Sequence, residues 1–320
     1  AEWKLNDYAR LARNPQWHDG QAPTATIIWK PMEDSLSALR LFLSGGADIA
    51  ADYPPSRHRW LRDNHPDIAH SVPYFGSYYF AFNTQRAPFD DRRVRTALSM
   101  AVEREWIADQ VIGVDNIPAW GLLPPGLAGA EPLRPQWADW PRDKRLRTAR
   151  RLLAEAGYGP DNPLRFEIRF NSSAEHRRVS VALAAMWKPL GVEASLFNSE
   201  AALHFAALRR HEFALARSGW IADLPTPENF LLVHQAANGA GNYSGYASAE
   251  YDRILARAIA EPDARRRQQL MRRAEARLIA DMPILPLYFY VTRSLVAKRI
   301  AGWEDNISNV HPSRTLRIRP

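Results

Sequence analysis

Cysteine is absent from all 320 residues, which excludes disulfides and thiolate metal ligands. Lysine is scarce, confined to Lys4, Lys30, Lys144, Lys188 and Lys298. No run approaches the roughly 18 consecutive apolar residues that a membrane span requires. The first residues carry no basic n-region followed by an apolar stretch, so no signal peptide is visible. The nine histidines show no HExxH spacing. GxSxG, P-loop and GxGxxG patterns are missing too. His204 and His211 lie seven apart on a predicted helix, but no carboxylate completes a triad with them. These gaps argue against an enzyme, a metal site and a bound cofactor.

What is present reads as an ordinary globular chain. Hydrophobic residues make up 46% and charged residues 24%, enough to bury a sizeable core and form two domains. The net charge is +7, from 42 basic residues, nearly all arginine, against 35 acidic ones. Arg92-Arg93-Val94-Arg95, Arg150-Arg151 and Arg265-Arg266-Arg267 are interleaved with acids or core residues. They read as solvated helix faces, and no recognition helix, zinc finger or RNP pattern points to nucleic acid.

Periodicity sets the elements. Residues 24–29 form a β-rich run, 34–43 a helix, and 44–49 a turn into a short strand. Residues 72–82 are an aromatic strand, and Asp90-Asp91 opens a helix with Val94, Ala97, Leu98 and Ala101 on one face. Residues 118–141, rich in proline and tryptophan, form a long loop. Residues 143–156 form an amphipathic helix stopped by Gly157. Leu164, Phe166, Ile168 and Phe170 alternate with charged residues as a half-buried strand. A helix over 179–187, a strand over 192–197, a helix over 201–210 and a strand over 213–221 follow. Helices over 230–235, 251–259 and 264–281, a strand over 284–291 and a tail over 295–320 complete the order. Strands alternating with helices imply an α/β fold.

One carboxylate occupies a distinctive place. Asp223 follows the 213–221 strand and precedes Thr226-Pro227, an N-cap followed by proline in the first helical turn. Such corners project side chains into clefts. Asp223 and Arg217, six residues earlier, could receive the two opposite ends of a zwitterionic ligand; the alternative is a corner aspartate that caps backbone N–H groups.

Five segments set this corner in a frame: Pro88-Phe89-Asp90-Asp91-Arg92-Arg93-Val94-Arg95-Thr96-Ala97-Leu98, Leu152-Leu153-Ala154-Glu155-Ala156-Gly157-Tyr158, Gly219-Trp220-Ile221-Ala222-Asp223, Asn242-Tyr243-Ser244-Gly245-Tyr246, and Pro283-Ile284-Leu285-Pro286-Leu287-Tyr288-Phe289-Tyr290. The series resembles the periplasmic oligopeptide-binding proteins, solute receptors of ABC peptide importers, from about Trp3 to the C-terminus. The chain is short for that family and resembles its C-terminal portion, with the N-terminal part of the fold expected to be missing.

The resemblance implies a type II periplasmic-binding-protein-like α/β fold of two lobes, with mixed sheets flanked by helices. Residues 1–75 with 292–320 would form a partial first lobe, and 76–291 a complete peptide-binding lobe. It implies capture of short peptides in a cleft closed by hinge motion, and delivery to the membrane permease of an ABC importer. Periplasmic location, a leader upstream of Ala1 and a monomeric state are expected. Asp223 would hold the ligand ammonium, and Arg217 and His176 its carboxylate. The alternatives are an ordinary ion pair for Arg217 and an exposed helix position for His176. Gly219, Trp220 and Ile221 would pair with the ligand backbone, Gly219 allowing close approach and Trp220 walling a pocket. Tyr74, Tyr79 and Tyr290 match cleft tyrosines, though aromatics at strand spacing also fit a core. Two departures stand out: Val111-Ile112-Gly113 lacks a lysine that the family can use, and Ala201 replaces a pocket tryptophan. A receptor for a non-peptide solute, or the sensory module of a regulator, is the competing reading.

Overall fold

The computed structural model describes residues 1–32, 34–113, 115–127 and 132–319. Positions 128–131 of the predicted 118–141 loop and the last residue of the tail lie outside the described residues. The strands in chain order are β1 (Glu2–Lys4), β2 (Tyr8–Ala12), β3 (Thr26–Trp29), β4 (Ile49–Ala50), β5 (Ala69–Phe82), β6 (Ile117–Pro118), β7 (Arg165–Asn171), β8 (Glu193–Ser199), β9 (Leu215–Ile221), β10 (Ile284–Val296), β11 (Ile300–Ala301) and β12 (Arg317–Ile318).

These elements divide into two compact units, 1–74 with 113–115 and 291–320, and 75–112 with 116–290. The division falls inside two strands, between Tyr74 and Phe75 of β5 and between Tyr290 and Val291 of β10. In the first unit β1, β2 and β3 form an antiparallel sheet. Asp34 caps the helix Ser35–Leu43 by accepting from the Ser37 N–H at 2.8 Å. That helix packs through Leu39 and Phe42 against Tyr53, Leu61 and Leu295. Buried Tyr53 and His58 form a hydrogen-bonded chain with exposed Asp115, the Tyr53 hydroxyl lying 2.9 Å from His58 Nδ1 and His58 Nε2 2.8 Å from Asp115 Oδ2. The pattern missed the β1–β2 hairpin and the helix His58–Asn64, both short and weakly periodic.

The second unit is built on a mixed sheet in the order β10-β5-β9-β7-β8, with β6 paired to β10. β5 and β9 are antiparallel, whereas β7 runs parallel to β8 and β9. Three-residue spacing along β5 puts Tyr78 and Ala81 on opposite faces of the sheet. The helix Ala174–Trp187 covers the first face, where His176 meets Tyr78. The helix Ala201–Arg209 covers the second, where Leu208 packs with Ala81, Phe213 and Ala216. On the first face Phe82, Phe89, Phe166 and Trp187 pack ring on ring, with centroids 4.9–5.6 Å apart.

Several expectations are corrected. The helix expected at 179–187 begins at Ala174, because Ser173 caps it by accepting from the His176 N–H. β10 continues to Val296, five residues past the expected end. His211 lies beyond the end of the Ala201–Arg209 helix with φ 54°, so it shares no helix face with His204. Arg95 is not a solvated helix residue. Its buried guanidinium gathers the carbonyls of Phe89, Asp281 and Met282, and burial lowers its pKa to about 10. Arg104 does the same for Ser99, Ala119 and Pro286, and burial lowers its pKa to about 9. Each guanidinium thus meets buried backbone carbonyls from segments far apart in the chain and ties them together.

Candidate functional site

The 217–223 segment owes its character to incomplete pairing. β9 pairs with β5 along its whole length but with β7 only at Leu215 and Ala216. Among the described residues no strand pairs with 217–221 on that second side. Antiparallel geometry then decides which groups face outward. Ala222 donates its N–H to the Phe75 carbonyl and Asn83 donates to the Ala214 carbonyl, both at 2.9 Å, so even-numbered residues turn toward β5. The backbone groups of Arg217, Gly219 and Ile221 turn away from it. His204 Nε2 donates to the Arg217 carbonyl at 2.9 Å, so the outward edge starts at Gly219.

Side chains alternate in the same way. Arg217, Gly219 and Ile221 share a face with Gly76, Tyr78 and Phe80, while Ser218 and Trp220 share the other with Ser77 and Tyr79. Tyr79 is 2% exposed and packs against His234, so it is a core residue and walls no ligand site. Trp220 also lies on that second face and donates Nε1–H to Asn229 Oδ1 at 2.9 Å. It does not stand beside Arg217. Tyr74 belongs to the other unit.

Arg217 is held by neutral partners. It donates to the Tyr290 hydroxyl at 2.9 Å and to Asn171 Oδ1 at 3.4 Å, and its guanidinium lies 4.9 Å from the Tyr78 ring centroid. Its Nε is buried without a partner. Among the described residues no carboxylate stands within ion-pair distance, so the ordinary ion pair is not what holds it. The guanidinium therefore carries a charge that no carboxylate among the described residues answers. His176 Nδ1 lies 3.2 Å from the Tyr78 hydroxyl. Burial, with Arg217 and His204 nearby, lowers the His176 pKa to about 3, so the ring is neutral at pH 7.

Tyr290 explains both glycines of this face. A Cβ on Gly219 would stand 2.9 Å from the Tyr290 hydroxyl, and one on Gly76 would stand 2.6 Å from its ring. The close approach that Gly219 permits is therefore that of Tyr290. Asp223 ends the segment in the open. Its side chain is exposed and enters no hydrogen bond or ion pair among the described residues, while its N–H donates to Asn229 Oδ1 at 3.3 Å. Asn229, not Asp223, caps this corner, and Thr226 at the helix start makes no side-chain cap bond.

Sequence reasoning missed Tyr78, Tyr288 and Glu175. The Tyr78 and Tyr288 rings stack at 4.5 Å, and Tyr288 donates its hydroxyl to Glu175 Oε1 at 2.9 Å. The period-2 spacing of Tyr288 and Tyr290 was a signal for a shared face. Among the described residues no three His, Asp or Glu side chains converge to hold a metal, and no helix is long and apolar enough to cross a membrane. A cavity of about 430 Å³ lined by Arg142, Leu146, Arg147, Arg150 and Pro189 shares no residue with this site.

Comparison with known proteins agrees with this architecture. The profile of bacterial extracellular solute-binding proteins, family 5 Middle, matches residues 1–242. The periplasmic oligopeptide-binding protein OppA of Salmonella typhimurium is 32% identical over 314 residues, covering 97% of this chain and 58% of OppA. The Escherichia coli murein tripeptide-binding protein MppA superposes with a TM-score of 0.89 at 31% identity, over 99% of this chain and 63% of MppA. Haemophilus influenzae OppA, solved in complex with RPPGFSPFR, gives 0.85 at 27% identity, over all of this chain and 64% of that one. The chain thus spans somewhat under two thirds of these relatives.

Proposed function

Because the chain belongs to the bacterial extracellular solute-binding proteins of family 5, a family of receptors and not of enzymes, we propose that it forms the ligand-gripping part of a peptide receptor serving an ABC importer in the periplasm. Asp223 takes the peptide's ammonium, the outward N–H and C=O groups of Gly219 and Ile221 pair with its backbone, and Arg217 takes its carboxylate. Neutral His176 offers a further hydrogen bond beside Arg217. A receptor that grips only what all peptides share accepts many sequences.

The observation that carries this reading is a pair of unanswered charges on one segment. Among the described residues the Arg217 guanidinium has no carboxylate partner and the Asp223 carboxylate no cation, with an unpaired backbone edge between them. Two opposite charges separated by such an edge fit a zwitterionic, extended ligand. A non-peptide solute would leave the backbone edge unused, and a regulator's sensory module could use the same site. The test is calorimetry on the intact protein with a free tripeptide. Asp223→Asn is expected to weaken binding at least tenfold, and unchanged affinity would remove the assignment.

A further inference from the structure

Three tyrosine hydroxyls of the second unit are each engaged by a different kind of group. Tyr290 accepts from the Arg217 guanidinium at 2.9 Å, Tyr288 donates to the Glu175 carboxylate at 2.9 Å, and Tyr78 meets the His176 imidazole at 3.2 Å. The rings form one cluster. Tyr78 stacks on Tyr288 at 4.5 Å, and Tyr290 stands edge-on to both at 5.9 Å. The cluster therefore places a cation, an anion and a neutral base around one rosette of phenols. Glu175 and His176 are neighbours in the first turn of the Ala174–Trp187 helix, and Ser173 fixes that turn as its cap.

Glu175 is the member that the proposed peptide grip leaves unused. Its carboxylate is half-buried and engages Tyr288 through Oε1. Among the described residues it forms no ion pair, although Arg177 and Arg178 follow on the same helix. A carboxylate so close to a subsite for another carboxylate repels that ligand unless the ligand also brings a positive charge. Arg217 and Glu175 together match a residue bearing an anion and a cation a few bonds apart.

We infer that this rosette selects peptides whose last residue has a basic side chain, with Arg217 receiving the terminal carboxylate and Glu175 the side-chain ammonium or guanidinium. The inference rests on the peptide-binding reading above and adds a specificity to it. Glu175 is then a determinant of which peptides are held, while Asp223 and Arg217 decide that peptides are held at all.

Calorimetry on the intact protein tests it with two tripeptides that share their first two residues. One ends in lysine and the other in norleucine, which keeps the chain length and lacks the ammonium. The lysine peptide is expected to bind at least tenfold more tightly, and in Glu175→Gln the two affinities should converge to within about twofold. A thermal melt of Glu175→Gln confirms that the variant folds. A lysine preference that shrinks in 0.5 M salt supports the ionic contact. Equal affinities in the unmodified protein, or a preference that survives in Glu175→Gln, would overturn the inference and leave the peptide reading standing. Binding of neither peptide would overturn both.

Discussion

The Tyr290 hydroxyl accepts a hydrogen bond from Arg217 at 2.9 Å and crowds the place of a Cβ on Gly219, while its ring crowds the place of a Cβ on Gly76. One side chain thus steers the guanidinium and dictates two glycines. The backbone between Arg217 and Asp223 is shaped by this packing, and its outward edge is a by-product of β7 turning away after Ala216.

Gly219→Ala should destabilise the protein, because the new Cβ would press on the Tyr290 hydroxyl at 2.9 Å and on the Ser77 carbonyl at 3.0 Å. Overpacking of this kind costs about 1–3 kcal/mol. Tyr290→Phe removes the first contact only, so the double variant should recover part of the loss. Denaturant melts of the four proteins would show this coupling, and strict additivity would refute it.

Arg217→Met should weaken binding of a free tripeptide while barely changing that of the same peptide with an amidated C-terminus. Among the described residues the guanidinium has only neutral partners, so under the proposed reading its charge answers the ligand carboxylate. Calorimetry with the acid and amide forms checks this. An equal loss for both would assign Arg217 a packing role.

Glu275 gives stability a pH dependence of unusual sign. It is 1% exposed, accepts the N–H groups of Leu122 and Leu123, and burial raises its pKa from 4.5 to about 7. Since the folded state holds the proton more tightly, this contribution is fully present below pH 4.5 and fades as pH rises through about 7. Glu275→Gln keeps an acceptor for both N–H groups and loses the titration. Its stability relative to the unmodified protein should rise between pH 5 and 8, by on the order of 3 kcal/mol at the upper end. A difference that stays flat across this range would contradict the account.

Three histidines act in the opposite direction. Burial lowers His176 to about 3 and His204 and His234 to about 4. A base with a depressed folded pKa contributes fully above its ordinary value of 6.5, and the contribution is lost as pH falls toward the folded value. The melting temperature should therefore drop between pH 6.5 and 5. His234→Gln should reduce proton uptake on unfolding at pH 5 by about one, measurable from the slope of melting temperature against pH.

Much of the fold was legible where one face is apolar and the other is not. Phe166, Ile168 and Phe170 mark β7, and Met271, Ala274, Leu278 and Ile279 mark the helix Ala264–Asp281. The corner at Asp223 was legible because Pro227 fixes where the next helix starts. Partner choice was not. β5 is buried on both faces from Phe75 to Phe82, so nothing in its aromatic run separates Tyr78, which meets Arg217, from Tyr79, which faces His234. Likewise the buried Arg95 reads like its solvated neighbours, since the carbonyls it gathers come from segments 6 and about 186 positions away.

The niche shared by Tyr290, Gly76 and Gly219 makes these three positions a single unit of variation. A chain that acquired a methyl group at either glycine would have to shrink the aromatic at 290, and its guanidinium would then lose an acceptor. Across such chains, bulk at the two glycines should trade against bulk at 290, and the anchoring of the guanidinium should follow the aromatic.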